Sequence, residues 1–151
     1  MTLMAFRFAL APLLRLRQSL EHQRALAFQK ASSHVARAQE ALTRLDGFLE
    51  ESAAIDSRSL AAGCMAADLH FAMLLREQLQ QLRVQLQEEI RRLEALHEEA
   101  AHAYEQALAE REVLESLRAR QRRAYQLEQA RRQQQEIDAV FLVQRWHTGK
   151  D

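Results

Sequence analysis

Between Leu69 and Leu117 the chain runs for 49 residues without a glycine or proline while an apolar residue returns at every seventh place. Ala72, Leu79, Leu86, Leu93, Ala100, Ala107 and Leu114 form one series, and Leu75, Leu82, Leu96, Ala103 and Leu117 fall three places after most of them. That spacing predicts the a/d seam of a long coiled-coil helix. Gln, Glu, Arg and Ala fill the places between, all of them good helix formers. A helix of this length cannot bury its stripe against itself, so another segment or another chain must lie along it.

The first third of the sequence supplies such a segment. Leu14, Phe28, Val35, Leu42 and Leu49 recur at seven-residue spacing, joined by Leu10, Ala31, Ala38 and Leu45. Arg17, Glu21 and Arg24 interrupt this second seam with a polar slip. Pro12 is tolerated if a helix begins just before it. Between Ser52 and Ala67 the heptads fail, and Ser52, Asp56, Ser57, Ser59 and Gly63 cluster, which marks the reversal. Asp68 is the expected N-cap of the following helix. The expected fold is all-α: an elongated two-helix antiparallel coiled-coil hairpin forming a single domain over 1–151. Helix 1 would span about 6–52, the connection about 53–67, and a longer helix 2 about 68–145. Facing a to d sets Leu45 opposite Leu79, Leu42 opposite Leu82, Ala38 opposite Leu86 and Phe28 opposite Leu96; a register one heptad shorter sets Phe28 against Glu89. Leu10 then lies level with Leu114, and helix 2 continues beyond helix 1 with a shifted series at Leu127, Ala130, Ile137 and Phe141.

Charge is balanced over the whole chain, 21 basic against 21 acidic residues, but not locally. Glutamates crowd the middle of the long helix, and Arg118, Arg120, Arg122, Arg123, Arg131 and Arg132 follow. One end of the molecule is expected to be positive. Nucleic acid is the weaker reading of this run, since only Tyr125 is interleaved as a stacking residue and basic runs on helices are usually solvated faces. An acidic protein partner fits better, because the same segment continues into Ile137, Val140, Phe141 and Trp146, apolar residues without an intramolecular seam. Membrane-surface binding by this amphipathic tail is a minor alternative.

No catalytic constellation emerges. His34, His70, His97 and His102 lie on helices without ligand spacing, and Glu98 with His102 is an ordinary i,i+4 pair. No Gly-rich phosphate loop is present, so no nucleotide, cofactor or small-molecule substrate is expected, and the protein reads as a non-enzyme. The single cysteine, Cys64, provides no disulfide framework and fits a reducing compartment. The apolar run Phe8–Leu14 is flanked by Arg7, Arg15 and Arg17, which argues against a signal peptide, and no stretch has the length of a membrane span.

The opening Phe6-Arg7-Phe8-Ala9-Leu10-Ala11-Pro12-Leu13-Leu14-Arg15-Leu16-Arg17 resembles the N-terminal signature of the FliJ family, the soluble stalk of the bacterial flagellar type III export apparatus. Gly63 followed by Ala67-Asp68-Leu69, the stretch Glu110 to Arg120 and the tail Gln133 to Asp138 match in the family order. The resemblance implies a two-helix coiled coil similar to the central stalk of rotary ATPases. It further implies that the tip made of both termini docks into the ring of the flagellar export ATPase and promotes its assembly or activity. Contacts with the export-gate membrane protein and with export chaperones are implied too, as is a cytoplasmic location at the inner membrane beneath the flagellum. The partner-binding residues expected on this basis are Phe6, Arg7, Phe8, Leu10, Arg15, Arg17, Arg118, Arg120, Arg122, Arg123, Ile137 and Phe141. A generic coiled-coil scaffold and a virulence-type secretion stalk are the alternatives.

Overall fold

The computed structural model describes residues 6–148, with the backbone alone at 147 and 148. Two helices account for nearly all of it: α1, Ala11–Ala62, with 52 residues, and α2, Ala66–Thr148, with 83. They pack against each other, and the described residues contain no strand.

Contacts group the chain into two units, one comprising Met1–Glu21 with Ala107–Asp151 and the other His22–Gln106. In the second unit α1 read forwards is met by α2 read backwards. Phe28 stacks on Tyr104 and lies tilted against His97, Ser32 bonds to His97, Gln39 to Glu94, Asp46 to Arg83 and Asp56 to Arg76. In the first unit Phe6 meets Tyr125 while Arg17 and Glu21 meet Glu110 and Arg111, which is again antiparallel.

The reversal is much shorter than the expected 53–67. Only residues 63–65 separate the helices. Gly63 ends α1 at φ +81°, a left-handed conformation that costs a side-chain-bearing residue steric energy, and its N–H bonds to the Leu60 carbonyl at 3.3 Å. The serines that suggested a loop stay helical by returning their hydroxyls to the backbone: Ser52 to Leu49 O and Ser57 to Ala54 O, both 2.9 Å. Asp56 remains helical as the ion-pair partner of Arg76. At the start of α2 the Met65 carbonyl accepts from the Asp68 and Leu69 N–H groups, so Met65 holds the cap position. Asp68 lies inside the first turn, where its carboxylate faces the positive end of the helix dipole. Helix 1 likewise begins later than residue 6, at Ala11, one residue ahead of Pro12.

The expected a series of α2 is turned inwards, with Ala72, Leu79, Leu86, Leu93, Ala100 and Leu114 half-buried and Ala107 buried. Its companion series is only partly the expected one: Ala103 and Leu117 are half-buried as expected. Leu75, Leu82 and Leu96 are solvent-exposed, Leu82 at 50% and Leu96 at 57%. The positions facing α1 are Leu69, Arg76, Arg83, Ile90, His97, Tyr104 and Arg111, all half-buried except Ile90, which is buried. The reason lies in the partners. Asp56, Asp46, Ser32, Phe28 and Glu21 stand on α1 where Arg76, Arg83, His97, Tyr104 and Arg111 reach them, whereas packing the leucines would strand those polar groups. Phe28, placed between His97 and Tyr104, is consequently level with Ala100 rather than Leu96. The heptad series of α1 faces inwards as expected, apart from Leu10, which is exposed.

Ser32 reveals how closely one layer is built. Its hydroxyl donates to the Phe28 carbonyl at 3.0 Å, which spends its only proton. The same hydroxyl lies 2.9 Å from His97 Nε2 on the opposite helix, and the His97 ring is tilted against that of Phe28 with centroids 4.9 Å apart.

Two measurements follow from this geometry. In a Cys64→Ser background, the pair Leu42→Cys with Leu86→Cys is expected to crosslink on mild oxidation well ahead of Leu42→Cys with Leu82→Cys, read as the fraction of intramolecular disulfide. Chemical melts are expected to separate two of the glycines. Gly47→Ala should stabilise by about 0.5–1 kcal/mol, since a methyl there meets nothing within 4 Å, and Gly63→Ala should destabilise by about 1 kcal/mol or more because of its positive φ.

Candidate docking surface

The first unit begins with five residues that are not helical. Phe6, Arg7 and Phe8 have no regular secondary structure, and Ala9 and Leu10 turn the chain into α1. Phe6 is half-buried, Arg7 exposed and Phe8 buried, so the two aromatics turn inwards and the arginine between them outwards. The Phe6 ring lies 5.7 Å from that of Tyr125 at 47°. Phe8 also closes the helix start, its carbonyl accepting the Ala11 N–H at 3.1 Å, while Leu14 N bonds to Leu10 O at 2.9 Å. Leu14, the most buried side chain of the core, anchors this end.

Polar residues of the seam are paired here. Arg17 forms an ion pair with Glu110. Arg111 holds Glu21 and, at 2.5 Å, Glu115. The polar slip at Arg17 and Glu21 is thus matched from the opposite helix. Burial pulls the Arg111 guanidinium towards its neutral form, but the hydrogen bond to Glu21 and the charges of Glu115, Glu21 and Glu112 outweigh that and raise its pKa.

Beyond these pairs the arginines change character. Arg7, Arg15, Arg118, Arg120, Arg122 and Arg123 are exposed and form no ion pair among the described residues. Three of them converge: an open groove of ≈ 720 Å³ is lined by Phe6, Arg7, Pro12, Arg15 and Arg118, with no acidic residue in its wall. Such a groove attracts carboxylates from solution through a local field that no wall residue cancels.

The twelve residues expected to bind partners therefore separate. Arg7, Arg15 and Arg118 share the groove, and Phe6 and Phe8 form part of its wall. Phe8 is buried and Arg17 is engaged with Glu110, which gives both an intramolecular task. Arg120, Arg122 and Arg123 are exposed nearby in sequence on α2, and Leu10 is partly exposed beside the turn. Ile137 and Phe141 lie further along α2, each 62% exposed, on a separate shallow groove with Gln133, Glu136, Val140 and Gln144. Pro12 and Gln18 also line the arginine groove and were missed as site residues. The position of Pro12 in the first turn, four residues after Phe8, is the signal that could have found it.

No helix among the described residues is long and apolar enough to cross a membrane. Among the same residues no group of three or more His, Cys, Asp and Glu side chains is placed to hold a metal ion.

Comparison with known proteins gives one family. The family described as the flagellar FliJ protein matches residues 6–150. Neither the curated proteins nor the solved structures contain a match. The family match covers nearly the whole chain, and the chain belongs to the flagellar FliJ protein family.

Proposed function

We propose that this member of the FliJ family, a component of flagellar protein export, works as a non-enzymatic stalk that docks into the ring of the export ATPase. In this reading it promotes assembly or activity of the ring and connects it to the export-gate membrane protein and to export chaperones. It acts in the cytoplasm, held peripherally beneath the inner membrane at the flagellar base.

The observation that carries the proposal is the groove in which Arg7, Arg15 and Arg118 meet without a carboxylate. Within the seam each arginine facing the opposite helix is neutralised by a partner, so a stretch of unpaired arginines immediately beyond is a surface directed outwards. A stalk seated in a ring needs attraction that tolerates rotation and reseating. Charge supplies this, because Coulomb attraction falls off gradually and has little angular preference. Arg120, Arg122 and Arg123 extend the positive surface along α2, and Ile137 with Phe141 adds an apolar contact.

Arg118→Glu/Arg122→Glu/Arg123→Glu is expected to abolish stimulation of the purified export ATPase and to impair swimming, with helix content by circular dichroism unchanged. Stimulation by the unaltered protein is expected to fall as salt shortens the Debye length from about 10 Å at 0.1 M. Full stimulation and full motility with the reversed protein would remove this surface from the mechanism and leave a scaffold role.

A further inference from the structure

The end of α2 carries a second apolar stripe that belongs to no seam within the described residues. Leu127, Ala130, Gln134, Ile137 and Phe141 repeat at alternate spacings of three and four, and Leu127 is 68% exposed. At 3.6 residues per turn this stripe lies about 150° round the helix from the line through Ala107, Arg111, Leu114 and Tyr125. Those four face the N-terminal segment and α1. An occupant of the stripe must therefore approach from the opposite side of the helix.

We infer that the occupant is the same stripe of a second copy of this chain, running antiparallel. With Leu127, Gln134 and Phe141 as a positions and Ala130 and Ile137 as d positions, antiparallel a-to-d layering sets Phe141 on Ala130 of the other copy and Gln134 on its Ile137. Large then meets small on both sides of a two-fold axis. The flanking e positions are Arg131 and Asp138. The same register sets Arg131 of each copy beside Asp138 of the other, giving two symmetric ion pairs. A parallel arrangement has neither property: Phe141 would meet Phe141, Ala130 would meet Ala130, and Arg131 would face glutamines. Arg131 has no ion pair among the described residues. Among the described residues Asp138 accepts only the neutral Gln134 amide, at 2.8 Å, a bond readily exchanged for a guanidinium. The inference does not depend on the docking reading, but the dimer covers Ile137 and Phe141, so tail pairing and docking through those residues exclude each other.

The charge pattern allows a test in which the variants fold as the parent does. Arg131→Asp leaves two acids at the e positions, and Asp138→Arg leaves two bases, so each variant alone repels its own copy. When the two variants are mixed, the chain with two acids meets the chain with two bases only in the heterodimer, where both ion pairs form with their signs complementary. The combined swap R131D/D138R restores both pairs within one homodimer. Sedimentation of the full chain in a Cys64→Ser background, across a hundredfold range of concentration, is expected to give a monomer–dimer equilibrium. Each single variant should weaken it about tenfold, and the mixture and the combined swap should recover it. Direction is read separately: a mixture of Gln134→Cys and Ile137→Cys proteins should form mixed disulfides in excess of Gln134→Cys homodimers. Three results would overturn the inference: monomers at every concentration, no recovery on mixing, or predominant Gln134→Cys homodimers. Monomers whose Ile137→Cys thiol is shielded from alkylation only when purified export ATPase is added would give the stripe to that partner and equally refute the dimer.

Discussion

Polar pairs across the helix interface decide which faces of these helices meet. A leucine heptad alone tolerates displacement by seven residues, because each layer then meets a similar one. Asp46 with Arg83, Asp56 with Arg76 and the Ser32–His97 bond in one unit remove that freedom, as do Arg17 with Glu110 and Glu21 with Arg111 in the other. Any slip leaves half-buried charges opposite apolar groups, and an unpaired buried charge costs more than a paired one contributes. The pairs therefore act mainly by raising the energy of the wrong alignments. Leucines exposed on the neighbouring flank are the visible consequence.

This also determines what could be read from the sequence. The inward a series of both helices and the reversal near Gly63 follow from periodicity and backbone sterics, which are local. The companion series of α2 does not. A sequence offers Leu75, Leu82 and Leu96 on one flank of the a series and Arg76, Arg83 and His97 on the other, and hydrophobicity alone selects the leucines. Choosing the second flank requires knowing that Asp56, Asp46 and Ser32 lie opposite, and that information sits 20 to 65 residues away. Ser52, Ser57 and Asp56 misled for a related reason: each is a turn former until a backbone carbonyl or a distant arginine takes its polar group. At the docking surface the arginines were legible as a charge run. The burial of Phe8 was not, since an aromatic at a chain terminus looks the same whether it packs inwards or waits for a partner.

The arginines illustrate how one residue type serves two ends. Arg17, Arg76, Arg83 and Arg111 touch carboxylates of the opposite helix and align the fold, and Asp46 holds the Arg83 guanidinium more firmly protonated than usual. Arg7, Arg15 and Arg118 carry the same group without such a partner and shape the electrostatic field outside. The distinction lies wholly in the facing residue. Removing one glutamate from the seam, for instance Glu110, would convert an aligning arginine into one more member of the outward set.

The wide sequence separation of the groups in the first unit bears on how the molecule is made. Arg17 and Glu110 are 93 positions apart, and Phe6 waits for Tyr125. Around the three-residue reversal, contacts join neighbours and can close as soon as the early part of α2 has been synthesised. The Phe-Arg-Phe segment, although synthesised ahead of both helices, finds its place only once Tyr125 has followed. The arginine groove is consequently among the last features to exist, so a nascent chain can have paired its helices around the reversal and still lack that groove.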